Sequence, residues 1–580
     1  MKRPIVRNTH RNLAWLMTIS VLALAACGGG GGGDGGRTPE PLATGTFTRT
    51  FNTGPALGIV VPFWDSVWGD VTAQFLFTAA EVGGGGKIVT LRFQRQTANA
   101  AATTCPNTTI RLGHTSIADL TGTYATDMNQ GTPLIVFNNA TLTIPSGAAG
   151  SWFDVPLTTP FGYNGTDNLV VQVDRTTICS GGVETAVRTT VANRLATSFA
   201  ADATAGTADN NTTTGALFAY TAWMQFVFSG GDNRLDFGGV VSNTWPFADN
   251  NALGGLRIQN LYLASEINGS GPITGIAYQT NATTVAGTYS YTLTMGHSTL
   301  AALTTNYAGN YSGSPTVVAN AVATFTIPAG VPAGQWIWVP IPDGVFTYNG
   351  TDNLIVEVST TTGTVSNSWR TTSIVGRRAP NNGATAPTAA VVDGFANHIA
   401  LRFNGGPMEV ITPTGIAGGV GDAMPFWAVN GKRQYLYHAA ELGTKGTISK
   451  LACRAVLPGA AETNFSYTVL LSHSTASTLG TTYATNLSTP TTVFSGVLNI
   501  PAVLVGDWLE IPFSTPFGYN GKDNLVVEVS GTGGTASGSA CALDLGNAAR
   551  YTGRRVFSGV SSDAAGTLQD NLIDMRFTLN

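Results

Sequence analysis

The stretch FGYNGTDNLVVQVD, residues 161–174, returns as FTYNGTDNLIVEVS at 346–359 and as FGYNGKDNLVVEVS at 517–530. Three copies at nearly even spacing set the period of the whole chain. In each, an Asn-Gly pair (Asn164-Gly165, Asn349-Gly350, Asn520-Gly521) stands just before an alternating apolar run. Asn and Gly tolerate positive φ, so the pair reads as a tight turn entering a strand. The Asp two residues after each Gly (Asp167, Asp352, Asp523) is expected to bond the amides of its own turn. The Tyr before the pair (Tyr163, Tyr348, Tyr519) is expected to cover the core edge and keep its hydroxyl in water. The motif therefore reads as scaffold. Its chemical alternative is a Ca²⁺ loop using these Asp and Asn oxygens, for which one carboxylate per loop is a thin donor set.

Outward from the motif, the other landmarks recur in one order. Each copy opens on an apolar PFW or WPF and reaches a Gln, an aromatic and an acid. These segments are PFWDSVWGDVTAQFLFTAAEV (62–82), WPFADNNALGGLRIQNLYLASEI (245–267) and PFWAVNGKRQYLYHAAEL (425–442). A later strand ends on His114, His297 or His473, with a Tyr ten residues beyond (Tyr124, Tyr307, Tyr483). A Gly-x-Trp follows (Trp152, Trp336, Trp508), then the quoted motif, then a closing alternating strand. The chain stops with the last of these strands, so no C-terminal sorting segment is expected.

The period-two segments are short, Gly, Asn, Thr and Pro separate them, and no stretch carries a helical period. The chain thus reads as all-β, with three tandem β-sandwich, jelly-roll-like domains of roughly ten strands each. A Gly-Gly pair near 231 and another near 406 mark the boundaries, giving domains 44–231, 232–406 and 407–580. Copies of about 175 residues match single domains and exceed solenoid units, so three beads are expected.

Residues 1–26 read as a signal peptide. Lys2, Arg3, Arg7 and Arg11 precede the run LAWLMTISVLALAA, which is too short to span a bilayer. LAAC, at 24–27, resembles the lipobox of bacterial lipoproteins. That resemblance implies cleavage before Cys27 and acylation of its thiol, and Gly28 after it implies the outer membrane. Residues 27–43 form a Gly-rich tether with no core-forming residues. Its glycines lack the flanking strand and helix of a phosphate loop.

Charged residues make up 11% of the chain and the net charge is −4, which excludes an electrostatic footprint for nucleic acid. Beyond Cys27 the cysteines fall in two close pairs, Cys105 with Cys179 and Cys453 with Cys541. This suits two intradomain disulfides in an oxidising compartment, with pairing between domains as the alternative. No Cys/His zinc spacing occurs and no cofactor is expected.

Taken together, the Gln-aromatic-acid opening, the strand ending on His, the Gly-x-Trp and the YNG motif resemble a repeated β-sandwich module of bacterial secreted and surface proteins of adhesin type. The resemblance covers nearly all of residues 51–580, three times. It implies surface display, adhesion or support of a neighbouring domain.

On an alternating strand, Leu112 and Ile110 share the face of His114, and the other two copies repeat this apolar company. The three His therefore read as structural, needing hydrogen-bond partners. The sharper reading pairs each with the repeated Glu (Glu81, Glu266, Glu441) as general base or metal ligand. GxSxG, HExxH, P-loop and EF-hand patterns are absent. Trp152, Trp336 and Trp508 are expected in the core, whereas Trp338 is expected to face the other way, exposed. Trp64, Trp68, Trp427 and Trp369 are expected in variable loops, and Trp338 and Trp427 are the candidates for stacking on sugar rings, with ordinary packing as the alternative. Arg377-Arg378, Arg554-Arg555 and Arg194 read as solvated turn charge.

These readings predict a non-catalytic, lipid-anchored outer-membrane protein for adhesion or for envelope or matrix structure. Its partners would be the membrane, through the N-terminal lipid, and a surface polysaccharide or another envelope protein. A multivalent carbohydrate-binding surface protein is the alternative. A hydrolase working from one degenerate copy comes third and needs a cleft joining a Glu or Asp with a His.

Overall fold

Turn and strand form in every copy as the Asn-Gly pairs require. Gly165, Gly350 and Gly521 take φ of 74°, 78° and 75°, a left-handed conformation that glycine adopts without steric cost. The computed structural model describes residues 45–51, 57–59, 62–63, 70–189, 193–200, 213–249, 254–404, 408–412, 420–422, 430–457, 462–500, 502, 507–533, 540–544 and 550–579. The leader, Cys27, the glycine tether, Trp64, Trp68 and Trp427 lie outside these residues. Leu42–Asn580 forms one compact unit.

The protein is all-β, and the described strands pair antiparallel. Each copy holds one six- or seven-stranded sheet built on the same three central strands. The Gln-bearing strand pairs with the strand after the YNG turn, which pairs in turn with the His-bearing strand. In the first copy these are Asp70–Phe77, Asn168–Arg175 and Thr103–Thr115. Register repeats with them: Gln74 faces Gln172, Gln259 faces Glu357 and Gln434 faces Glu528. Each such sheet packs face to face on a second one. Rings meet across the gap, Phe77 with Phe226 at 5.1 Å and Tyr437 with Phe577 at 5.3 Å between centroids. That is sandwich packing, with alternate residues of both sheets supplying the core.

A four-residue helix follows each Gln strand: Ala79–Val82, Ala264–Ile267 and Ala439–Leu442. Four residues are too few to display a period, so the sequence pattern could not announce them. The repeated Glu explains them. Its carboxylate accepts the amide that precedes the helix, from Thr78, Leu263 and His438 at 2.7, 2.8 and 2.9 Å, and so satisfies a donor the helix leaves orphaned.

Copies one and two share their second sheet. The strand Met224–Leu235 pairs through its first half with Thr46–Phe51 and Gly86–Gln94, and through its second half with Ile399–Phe403 of the second copy. The boundary near 231 falls on Gly230-Gly231 in the middle of this strand. Thr46–Phe51 also reaches Gly269–Gln279, so the first strand of copy one touches the second sheet of copy two. Phe47 stacks on Phe228 at 4.6 Å there and lies 6.1 Å from Phe403. The main buried apolar clusters follow this division: one runs through the first two copies and takes in Ala440 of the third, and another lies within the third. Both expected cysteine pairs are bonded, Cys105–Cys179 and Cys453–Cys541.

Candidate functional site

Each repeated polar residue has a local partner. In every copy the His Nε2 accepts the amide of the motif's Asn (Asn164, Asn349, Asn520) at 3.1 Å. The His ring also stacks on the motif's Tyr at 5.6, 5.8 and 5.8 Å. The imidazole thus bolts the end of its strand to the YNG turn, and the repeated Glu is engaged elsewhere, with the amide before its own helix. Burial pushes all three His below their ordinary value, His114 to about 4.

The turn is closed by its Asn and not, as expected, by its Asp. Asn164 Oδ1 accepts the amides of Thr166 and Asp167 at 3.0 Å, and Asn349 and Asn520 repeat this. Asp167, Asp352 and Asp523 instead receive the Asn side-chain amide, at 2.8, 2.8 and 2.7 Å. The Tyr hydroxyls, expected in water, donate to the backbone carbonyl of that same Asp. Among the described residues no group of three or more His, Cys, Asp or Glu converges as a metal site would require.

The arginines expected as solvated charge are mostly buried, and they pair with the repeated Glu. Arg377 meets Glu266, Arg554 meets Glu441 at 2.5 Å, and Arg194 meets Glu81 at 3.0 Å. Arg378 pairs with Asp393 at 2.6 Å. Burial alone would raise Glu441, but the Arg554 guanidinium holds it down to about 2.

The tryptophans exchange the roles the sequence assigned them. Trp338 is only 7% exposed, whereas Trp152, Trp336 and Trp508 are half-buried. Trp369, expected in a loop, opens the strand Trp369–Asn382 and is fully buried against Phe247. In a strand, residues two apart share a face. Trp336 and Trp338 therefore lie together, and Ile337 and Val339 turn to the core. The third copy covers Trp338. A Cβ on Gly443 would come within 2.2 Å of its ring. Arg402 lies over the same ring at 3.7 Å, donates to the Leu442 carbonyl at 2.8 Å and pairs with Asp232. Sugar stacking on Trp338 is thereby removed.

Around this contact the three copies enclose a cleft of about 1660 Å³. The third copy closes onto the first through Arg454, 3.6 Å from Asp167, and onto the second through Lys445, whose ammonium donates to the Pro342 carbonyl at 2.6 Å. The walls carry Trp336 and Trp508, and the cations Arg49, Lys87, Arg234, Arg370, Arg402, Arg454, Arg550 and Arg576 outnumber the carboxylates of Asp167, Asp232, Asp236, Glu441, Asp507 and Glu510. Arg576 lies over Trp508 at 4.8 Å and Arg234 over Trp336 at 5.8 Å.

Two of these cations, Arg49 and Arg234, stand side by side, with Asp236 and Asp232 as their nearby carboxylates. Arg234 donates to the Gly165 carbonyl at 3.0 Å and makes no ion pair among the described residues. Burial and the neighbouring Arg234 push Arg49 down to about 10, and burial lowers Arg234 as well. An anion in the cleft would relieve both charges. No local pattern in the sequence marks Arg49, Arg234 or Arg370, because the groups around each come from distant segments. Compared with known proteins, the chain matches no family model, no curated protein and no solved structure.

Proposed function

We propose that the protein is a lipid-anchored binding protein of the bacterial outer surface whose cleft holds a segment of acidic polysaccharide. One observation carries the ligand class: the adjacent Arg49 and Arg234 cations stand beside the half-buried ring of Trp336 in a cleft walled by all three copies, where cations outnumber carboxylates. Arginine supplies fixed charge for carboxylate or sulfate groups, and the indole supplies an apolar face for a sugar ring. Export is supported by the leader, the LAAC motif, the glycine tether and the two disulfides. A role in adhesion or envelope structure, with another envelope protein as partner, is the second reading, favoured by the sheet that copies one and two share.

A glycan array probed with the full-length protein in detergent tests the ligand class. Uronate- or sulfate-bearing glycans should bind and neutral ones should not, with affinity falling as salt rises. Trp336→Ala and Arg234→Ala should each weaken binding about tenfold, equivalent to roughly 1.4 kcal/mol. A blank array at low salt would refute the polysaccharide reading and put the envelope-protein partner ahead.

A further inference from the structure

At the edge of the cleft, in the second copy alone, an acid, a base and a hydroxyl stand in line. His398 is fully buried just before the strand Ile399–Phe403. Its Nδ1 lies 3.1 Å from Asp236 Oδ1 and 3.1 Å from Gln279 Oε1. Both oxygens only accept, and the amide orientation of Gln279 is fixed because its Nε2 donates to the Gly334 carbonyl at 3.0 Å. Nδ1 therefore carries a proton, and in the neutral imidazole the Nε2 lone pair faces Thr372 Oγ1 at 2.7 Å. Thr372 also touches the Gly238 carbonyl, and rotation about one C–O bond moves its proton from that oxygen to Nε2. Arg370, two residues earlier on the same face of the strand Trp369–Asn382, lines the cleft with Asp236 and Gln279, and its buried Nε has no hydrogen-bond partner among the described residues. The positions equivalent to His398 hold Trp223 and Asp574, whose carbonyls accept the same strand-to-strand bond, so the other copies lack the base.

We propose that Thr372, His398 and Asp236 form an acyl-transfer relay that hydrolyses small esters at the rim of the cleft. Thr372 Oγ attacks the ester carbonyl carbon while its proton passes to His398 Nε2. The tetrahedral oxyanion develops beside the Arg370 guanidinium. Its collapse breaks the bond to the alkoxide, which takes the proton from Nε2, and leaves an acyl-Thr372 ester. Water then attacks that ester, giving its proton to Nε2, and Thr372 recovers the proton as the carboxylic acid leaves. Asp236 is a positioning residue, holding the imidazole in the reactive tautomer. This activity goes beyond the binding role and does not rest on it.

The test uses p-nitrophenyl acetate and the full-length protein. Nitrophenolate release should exceed the buffer rate, and rapid acid quenching should trap one acetyl group on Thr372, located by peptide mass spectrometry. Thr372→Val should remove the adduct and lower turnover at least about 100-fold, while Thr372→Ser should retain both. Asp236→Asn should lower kcat by a similar factor with KM unmoved, which a purely structural role would not produce. Circular dichroism melting checks that each variant is folded. The relay is overturned if the folded wild type does not exceed buffer, if rate and adduct survive Thr372→Val, or if the acetyl group sits on another residue.

Discussion

Replacing Asp127 by Asn should make the protein more stable, because the other two copies already carry that solution. Gln259 and Gln434 lie buried at the centre of their sheets, each donating to a Tyr carbonyl at 3.0 Å and to a Glu carboxylate at 2.7 Å. The Oε1 of each accepts from Asn310 or Asn486 at 2.8 Å. In copy one Gln172 replaces the Glu, and Asp127 replaces the Asn. Asp127 Oδ1 keeps its bonds to the Thr121 amide and hydroxyl, at 2.9 and 2.6 Å. Asp127 Oδ2 and Gln74 Oε1, however, are two buried acceptors without a donor among the described residues. Each such atom costs about 1–3 kcal/mol. An Asn Nδ2 would serve Gln74 and remove the second orphan, for a gain of about 2 kcal/mol. Urea unfolding with the m value held constant measures it as a higher midpoint. The reciprocal change, Asn486→Asp, would set a second acid beside Glu528 and should cost about as much. A midpoint for Asp127→Asn that is unchanged or lower would refute this accounting.

Four other outcomes follow from the same structure. Acid should weaken the fold in two windows. Burial pushes His114 and His438 down to about 4, so their stabilisation is full above the unfolded value of 6.5 and is lost as pH falls through about 4. Glu441, held near 2, adds a second loss as pH falls from 4.5 through about 2, and urea midpoints taken across the acid range should trace both steps. Removing Cys105–Cys179 or Cys453–Cys541, which close loops of 74 and 88 residues, should each cost about 4.5 kcal/mol by loop entropy, measured by urea unfolding of the Cys→Ala pairs. Arg554→Met should cost about 3–5 kcal/mol by leaving Glu441 buried without its main partner, far more than a change at an exposed arginine, read as a fall in urea midpoint. Trp338→Ala should cost about 3–4 kcal/mol and free the third copy from the other two, seen as its release on limited proteolysis.

The local chemistry of the fold was legible in the sequence, and its junctions were not. An Asn-Gly pair before an alternating run specifies turn and strand by backbone preference alone, which is why residues 164–174 could be placed directly. The His rows could be placed too, since period two put Leu112 and Ile110 beside His114. Trp338 was misjudged for a different reason: the period does pair it with Trp336, but its burial comes from Gly443 and Arg402, more than 60 residues away. The arginines were misjudged likewise. Nothing adjacent to Arg554 shows that Glu441 waits across the sheet. The rim cluster of Asp236, Thr372 and His398 was equally hidden, because a repeat search discards whatever occurs once.

The strand Met224–Leu235 has a consequence for how such a chain can change length. Each half of it completes a different copy, so excising copy one or copy two alone would strip a pairing row from the survivor. The exposed strand edge would then be open to pairing with other molecules. Gene rearrangements that add or drop a single copy should therefore be selected against at this boundary, and the first two copies should be gained or lost as a pair.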